Sequence, residues 1–304
     1  MRQPAKTFLN CAALAAVTMT GCATNAAVPT TGAIAPGAVT HLGTPHYLPT
    51  RFGARPATTS SQGVQYQGGP VLVHPKVYLI FWGYKTYGDP NKVASLLTDY
   101  VKAIGGSGHN NIYTQYYEEL TAKKLYITNQ KAQLGGIWYD QTNPVPASPS
   151  DAQVAQEALA GASHFGGSDP NGSYVVATPH GRNSPGFETQ WCAYHSDEMS
   201  GSNLLSYTNL PYIPDAGAQC GADVVAPPKD ESGADEGVTL IEGSQEGDSV
   251  TDPGLGTGWY GVQDGEIGDG CVWIEIQNDR FGKRSYTMSA MFSNASLSCV
   301  QTYK

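Results

Sequence analysis

Carboxylates crowd one stretch of this 304-residue chain: Glu242, Glu246, Asp248, Asp252, Glu266 and Asp269. Hard oxygen ligands of this kind suit Ca2+ better than Zn2+, so calcium is the one cofactor the cluster invites. The plainer alternative, and the favoured one, has Asp252 capping a turn and the other acids facing solvent. No histidine lies between residues 196 and 304, so a nitrogen ligand for this stretch would have to come from His180 or His195 on distant loops. His195 stands beside Ser196 and Asp197 and close to Cys192, types that serve nucleophilic catalysis, but adjacency in sequence is not triad geometry. A structural role is the simpler expectation for it. His180 follows an apolar run and sits between Pro179 and Gly181, where a loop can line a pocket. Gly105-Gly106-Ser107-Gly108 lacks a following Lys-Ser/Thr pair and is no phosphate cradle. Trp138-Tyr139, Trp259-Tyr260 and Trp273 could stack on sugar rings, although core packing is the commoner fate of such residues.

The elements that must position these residues follow from pattern. Val77 to Trp82 is a continuous apolar, β-rich run and predicts a buried strand. Asp89-Pro90 opens a helix with Val93, Leu97, Tyr100, Val101 and Ile104 on one face, stopped at Gly105-Gly106. A second helix is expected from Asn111 to Leu120 and a strand from Leu125 to Thr128. Ser150-Asp151 caps a helix running to Gly161, and Ser173 to Thr178 reads as a strand. A Gly- and Pro-rich irregular stretch is expected from about 181 to 234. Asp235 to Val250 predicts the last long helix, weakened by Gly243 and Gly247 at about 1 kcal/mol each. Val272–Ile276 and Ser285–Phe292 read as strands. Interleaved helices and strands predict a mixed α/β class with a central sheet.

The ends of the chain and its composition speak to compartment. Arg2 and Lys6 precede a short apolar run from Thr7 to Met19, then Met19-Thr20-Gly21-Cys22. The run has the size of a signal-peptide core and is shorter than the roughly 20 residues of a spanning helix. The approach to Cys22 resembles a lipoprotein box, with Cys22 as the acylated residue; a plain signal peptide cleaved after Ala26 or Ala27 is the alternative. Ala23 offers no inner-membrane retention signal, so the expected place is the cell envelope, at the outer membrane through a lipid anchor, or outside the cell. Residues 23–62 are rich in small and polar types and predict a flexible tether, leaving 63–304 as one domain. Cys192, Cys220, Cys271 and Cys299 are an even set without a Cys-x-x-Cys pair, which favours disulfides over zinc. Of three connectivities, Cys192–Cys220 with Cys271–Cys299 is favoured. A formal charge of −9 argues against nucleic-acid partners.

Ordered blocks along the domain resemble the Exordium (phosphate-induced protein) family. They run from Val64-Gln65-Tyr66-Gln67-Gly68-Gly69-Pro70-Val71-Leu72 and the 77–83 strand through Tyr174-Val175-Val176, Gly186-Phe187 and Cys192-Ala193-Tyr194-His195. Pro211-Tyr212-Ile213 leads to Cys220, Glu266-Ile267-Gly268-Asp269 to Cys271, and Lys283-Arg284-Ser285-Tyr286 to Cys299. The resemblance implies secretion and a disulfide-bonded domain, with cell-surface polysaccharide or protein as the partner class, but no settled reaction.

Bacterial relatives of this type resemble zinc metallopeptidases: His-Glu-x-x-Glu on a helix, then Thr-Asp-Pro, Trp-Tyr and Glu-Ile-Gly-Asp. At i and i+4 a His and a carboxylate share a helix face and can grip one metal, while the Glu beside the His activates its water. Here Thr251-Asp252-Pro253, Trp259-Tyr260 and Glu266–Asp269 are present, but the register places Ser244, Gln245 and Asp248 where His, base and second ligand belong. A serine hydroxyl is a poor zinc ligand, and glutamine cannot take a proton from water. The expectation is a zincin-like, disulfide-stabilised fold with a decayed site, without zinc and not catalytic, that binds or organises surface polymer or protein. The alternative is an active metal-dependent peptidase or hydrolase with an atypical ligand set, and a purely structural lipoprotein is a third.

Overall fold

A central sheet of six strands organises the chain, seen here in a computed structural model that describes residues 44–54, 63–227, 232–261 and 265–304. The leader 1–22, Cys22 and most of the expected tether lie outside the described residues, all of which belong to one unit spanning 38–304. The strands are β1 (His46–Pro49), β2 (Lys76–Phe81), β3 (Leu134–Trp138), β4 (Gly172–Ala177), β5 (Trp191–Ser200) and β6 (Asn203–Leu210). Their order is β1-β5-β6-β4-β2-β3. The β3, β2, β4 and β6 pairings are parallel, whereas β5 runs antiparallel to β6 and β1 antiparallel to β5. The class is therefore mixed α/β with flanking helices and two disulfides.

Helix α1 (Val93–Ile104) forms where the apolar spacing predicts it, its first turn capped by the Asp89 carboxylate, which accepts from Val93 N at 2.7 Å and Ala94 N at 3.0 Å. Helix α2 (Asp151–His164) starts in a capping box between Ser150 and Gln153. Helix α3 (Glu236–Thr251) differs from both, because every one of its residues is buried. It lies among β5 and β6, α1, and a hairpin of β7 (Gln277–Phe281) and β8 (Arg284–Met288). Burial on all sides explains the two helix glycines: a side chain at Gly243 would strike Tyr100 and Met288, and one at Gly247 would strike Met291. What they cost in propensity is offset by close packing.

Several expected elements take another form. Asn111–Leu120 is a 3-10 turn (Asn110–Gln115) followed by a short extended pair of Tyr117–Glu118 with Leu125–Tyr126; buried Tyr116, its hydroxyl donating to Phe292 O at 2.6 Å, draws the chain out of a helical path. Val272–Ile276 is no strand, because Trp273 and Glu275 hold φ of 65° and 47°. Ser285–Phe292 is split between β8 and a second ladder, Met291–Ser293 with Ser298–Val300. The irregular stretch from 181 to 234 contains β5 and β6, the two longest strands of the main sheet. Finally, the segment expected to be a tether through residue 62 supplies β1, so the folded region begins before residue 63. No helix among the described residues is long and apolar enough to cross a membrane.

Both favoured disulfides are present, Cys192–Cys220 and Cys271–Cys299. Each closes a loop 28 residues apart in sequence, a span at which a crosslink contributes about 2–4 kcal/mol. The first pins the start of β5 to the 3-10 segment Ile213–Cys220. The second fastens the segment just after Glu266 to the C-terminal ladder.

Candidate functional site

Register alone builds half of a polar cluster at the β1 edge of the sheet. In the antiparallel pair of β1 and β5, His46 lies opposite His195 and Tyr47 opposite Tyr194. Successive side chains on a strand point to opposite faces. Tyr194 sends its hydroxyl to Asp151 of α2 at 2.8 Å, so His195 points to the other face, with His46 beside it. The two imidazole rings meet edge-on with centroids 5.6 Å apart. Asp197, two residues along β5 on the same face, accepts from Leu255 N at 3.2 Å and holds the 252–258 turn over the sheet.

The other half comes from α3 and the loop after it. Asp248 accepts from Gly268 N at 2.6 Å. A side chain at Gly268 would run into the Ser244 carbonyl oxygen and lie 2.8 Å from the Asp248 carboxylate, so only glycine lets the loop come this close. Ile267 is buried and its carbonyl accepts from Phe292 N at 2.8 Å. Together with Cys271–Cys299, these contacts fix Glu266 against the helix. The C-terminal half of α3 and Glu266 therefore meet: oxygens of Asp248, Glu266 and Asp269 lie within 4.8 Å of one another.

Glu266 is shared with the histidines. His46 Nδ1 lies 2.9 Å from its Oε2 and His195 Nε2 lies 3.2 Å from its Oε1. These are ion-pair distances without hydrogen-bond direction. Both nitrogens of His195, Nδ1 of His46 and both Glu266 oxygens have no hydrogen-bond partner among the described residues. His195 and Glu266 are fully buried, and His46 is 22% exposed at the rim, with the Tyr260 ring 5.5 Å from its own.

Burial and crowding set the charges. Burial alone would lower the His46 pKa, but the Glu266 carboxylate against its Nδ1 holds it up to about 9. His195 is raised in the same way, against burial, by Glu266. Burial would raise Glu266, yet His195 and His46 together bring it down to about 2. Burial and the Glu266 charge push Asp252 and Asp269 up to about 7. Burial, Asp269 and Glu266 push Asp248 well above the carboxylate range. One carboxylate is thus held as the anion while its three acidic neighbours resist ionisation.

The remaining expected site residues separate cleanly. Asp252 does cap a turn: its carboxylate accepts from Gly256, Thr257 and Gly258 N at 2.5, 2.9 and 2.6 Å. Asp252, Asp248 and Glu266 are buried and Asp269 is half-buried, rather than facing solvent. Ser244 and Gln245 are buried, and neither the Ser244 hydroxyl nor the Gln245 amide has a partner among the described residues. Glu242 and Glu246 act instead on Tyr100 and Tyr113. Burial holds Glu246 up to about 7 and, with the Glu246 charge, raises Glu242 well above the ordinary range. His180 is not part of the cluster; its Nδ1 is 2.5 Å from Asp215. Cys192 is in a disulfide and is no nucleophile. Trp259 is a core residue, donating to Tyr117 O at 2.7 Å. His195 arrives on a strand, not a loop, and sequence reasoning missed His46 altogether. The four-residue run His46-Tyr47-Leu48-Pro49 has no alternation that would mark it as a strand.

Comparison with family models, with characterised proteins and with solved structures gives no match.

Proposed function

We propose that the chain is an exported envelope protein with a zincin-like architecture and a decayed hydrolytic motif, acting by binding or organising cell-surface polymer or protein. The observation that supports this reading is the contact of α3 with the 266–269 loop; in the register that the resemblance implies, Gln245 stands where the general base would be. An amide there cannot accept a proton from water. Two disulfides support an oxidising, extracytoplasmic setting, and the Exordium resemblance points to surface polymers as the partner class.

The test is twofold. The purified chain, supplied with zinc, is expected to leave an unfolded casein substrate uncut, and to co-sediment with insoluble cell-wall polysaccharide or capture an envelope protein. Chelator-sensitive cleavage would reject the non-catalytic reading; absence of any retained polymer or envelope protein would reject the binding role. The two imidazoles beside Glu266 favour one second reading, metal-dependent hydrolysis with an atypical ligand set, and the same cleavage assay decides between them.

A further inference from the structure

We propose that His46, His195 and Glu266 form a binding site for one borderline transition-metal dication of the Zn2+ class. Nothing in the motif on α3 assigns this site: two of its ligands come from the sheet, and one of them from the segment ahead of the domain's expected start. It does not rest on the absence of catalysis, because metal retention and peptide cleavage are read separately.

Three observations carry it. First, the donor atoms are gathered: one nitrogen from each histidine and an oxygen of Glu266 lie within 4.8 Å of one another. Ligands bonded at the usual 2.0–2.1 Å around a tetrahedral ion sit about 3.4 Å apart, so modest closure would suffice. Second, the donors make no aligned hydrogen bonds. His195 is fully buried with neither nitrogen hydrogen-bonded, and both Glu266 oxygens, though at ion-pair distance from the two imidazoles, accept no hydrogen bond among the described residues. Buried polar groups are normally satisfied, and a set of them converging on one point is what an ion would complete. Third, the geometry was built rather than left over. Cross-strand register places the two imidazoles on one face, while the Gly268–Asp248 contact and the Cys271–Cys299 bridge fix the loop carrying Glu266. Partly exposed His46 gives an ion an entry edge.

Donor chemistry selects the metal. Glu266 also neighbours Asp248 and Asp269, an all-oxygen set that would suit calcium. Calcium takes six to eight oxygens, however, and the Asp252 oxygens nearby are already engaged by backbone N–H groups. Two imidazoles with one carboxylate favour zinc, cobalt or nickel over calcium.

Chelator-treated full chain would be titrated with Co2+ and Zn2+ by calorimetry and visible absorption. One ion per chain is expected, with ligand-field bands for Co2+ that Zn2+ abolishes, and with affinity falling on acidification because imidazole ligands must be unprotonated. His46→Gln and His195→Gln should each weaken binding by more than about 100-fold, beyond what loss of a supporting partner causes, while His180→Gln should leave it unchanged. Should His195→Gln fail to fold, the wild-type Co2+ protein still decides, since two histidines should give paramagnetically shifted imidazole signals. No retained transition metal, retention of calcium alone, or unaltered binding in His46→Gln would overturn the proposal.

Discussion

His180 and His195 each meet a carboxylate, and the settings differ in every other respect. The His180 side chain is 57% exposed. Its partner Asp215 also accepts from Gly181 N at 2.8 Å and from Asn183 Nδ2 at 3.0 Å. That carboxylate is fully occupied and serves to tie a loop. Glu266 is buried, faces two imidazoles rather than one, and receives no aligned donor from the described residues. Sequence type alone makes the two pairs equivalent. The satisfied pair explains itself, whereas the unsatisfied one calls for something more.

The sharpest way to break this contrast is to remove the hub. Glu266→Ala removes the carboxylate that lies against both imidazoles, and loss of one partner of a buried ion pair costs about 3–5 kcal/mol. Urea denaturation of the metal-free protein at pH 7 should register a loss of that order; a loss below about 1 kcal/mol would mean that the cluster contributes little to the fold.

A pH series should give the next largest effect. The His46 pKa is raised from 6.5 to about 9, so its contribution is complete below 6.5 and is lost as pH rises through 9. His195, also raised, has the same sign. Asp252 and Asp269, raised from 3.8 to about 7, hold protons more tightly when folded, and they too cost stability as pH climbs from 3.8 to 7. Glu266, lowered from 4.5 to about 2, acts oppositely, its contribution being lost only as pH falls through 2. The metal-free protein should therefore melt highest near pH 4 and several degrees lower at pH 9, as read by calorimetry. Zinc should reverse part of that loss at the alkaline end. The smallest effect belongs to the exposed pair: His180→Ala should change stability by no more than about 0.5 kcal/mol, since Asp215 keeps two other donors.

Sequence reasoning did well where local pattern decides structure. β2, α1, α2, β4 and α3 appear within a few residues of their expected bounds because apolar spacing and capping residues mark them. It failed where long-range contacts decide. β5 and β6 carry Tyr194, His195, Ser196, Asp197, Ser206 and Thr208, polar side chains that read as loop but are buried by the helices on both faces. β1 was hidden by four-residue brevity and by the small, polar residues around it. At the site, the sequence offered Asp248, Glu266 and Asp269 as a group of carboxylates, and the fold brings their oxygens together. The arrival of His46 was not legible, since no local rule says that residues 46 and 195 pair. Of the two histidines that the sequence offered to this stretch, His195 lies beside Glu266 and His180 does not.

The position of β1 bears on how the molecule can be cut. It is the outermost strand on its side of the sheet, laid along β5. A fragment trimmed to begin at residue 63 would uncover the backbone donors and acceptors of β5, leaving a sticky border to which a second chain can add. Such a fragment should self-associate even though both disulfides and α1, α2 and α3 remain, whereas one that begins a few residues ahead of His46 should stay monodisperse.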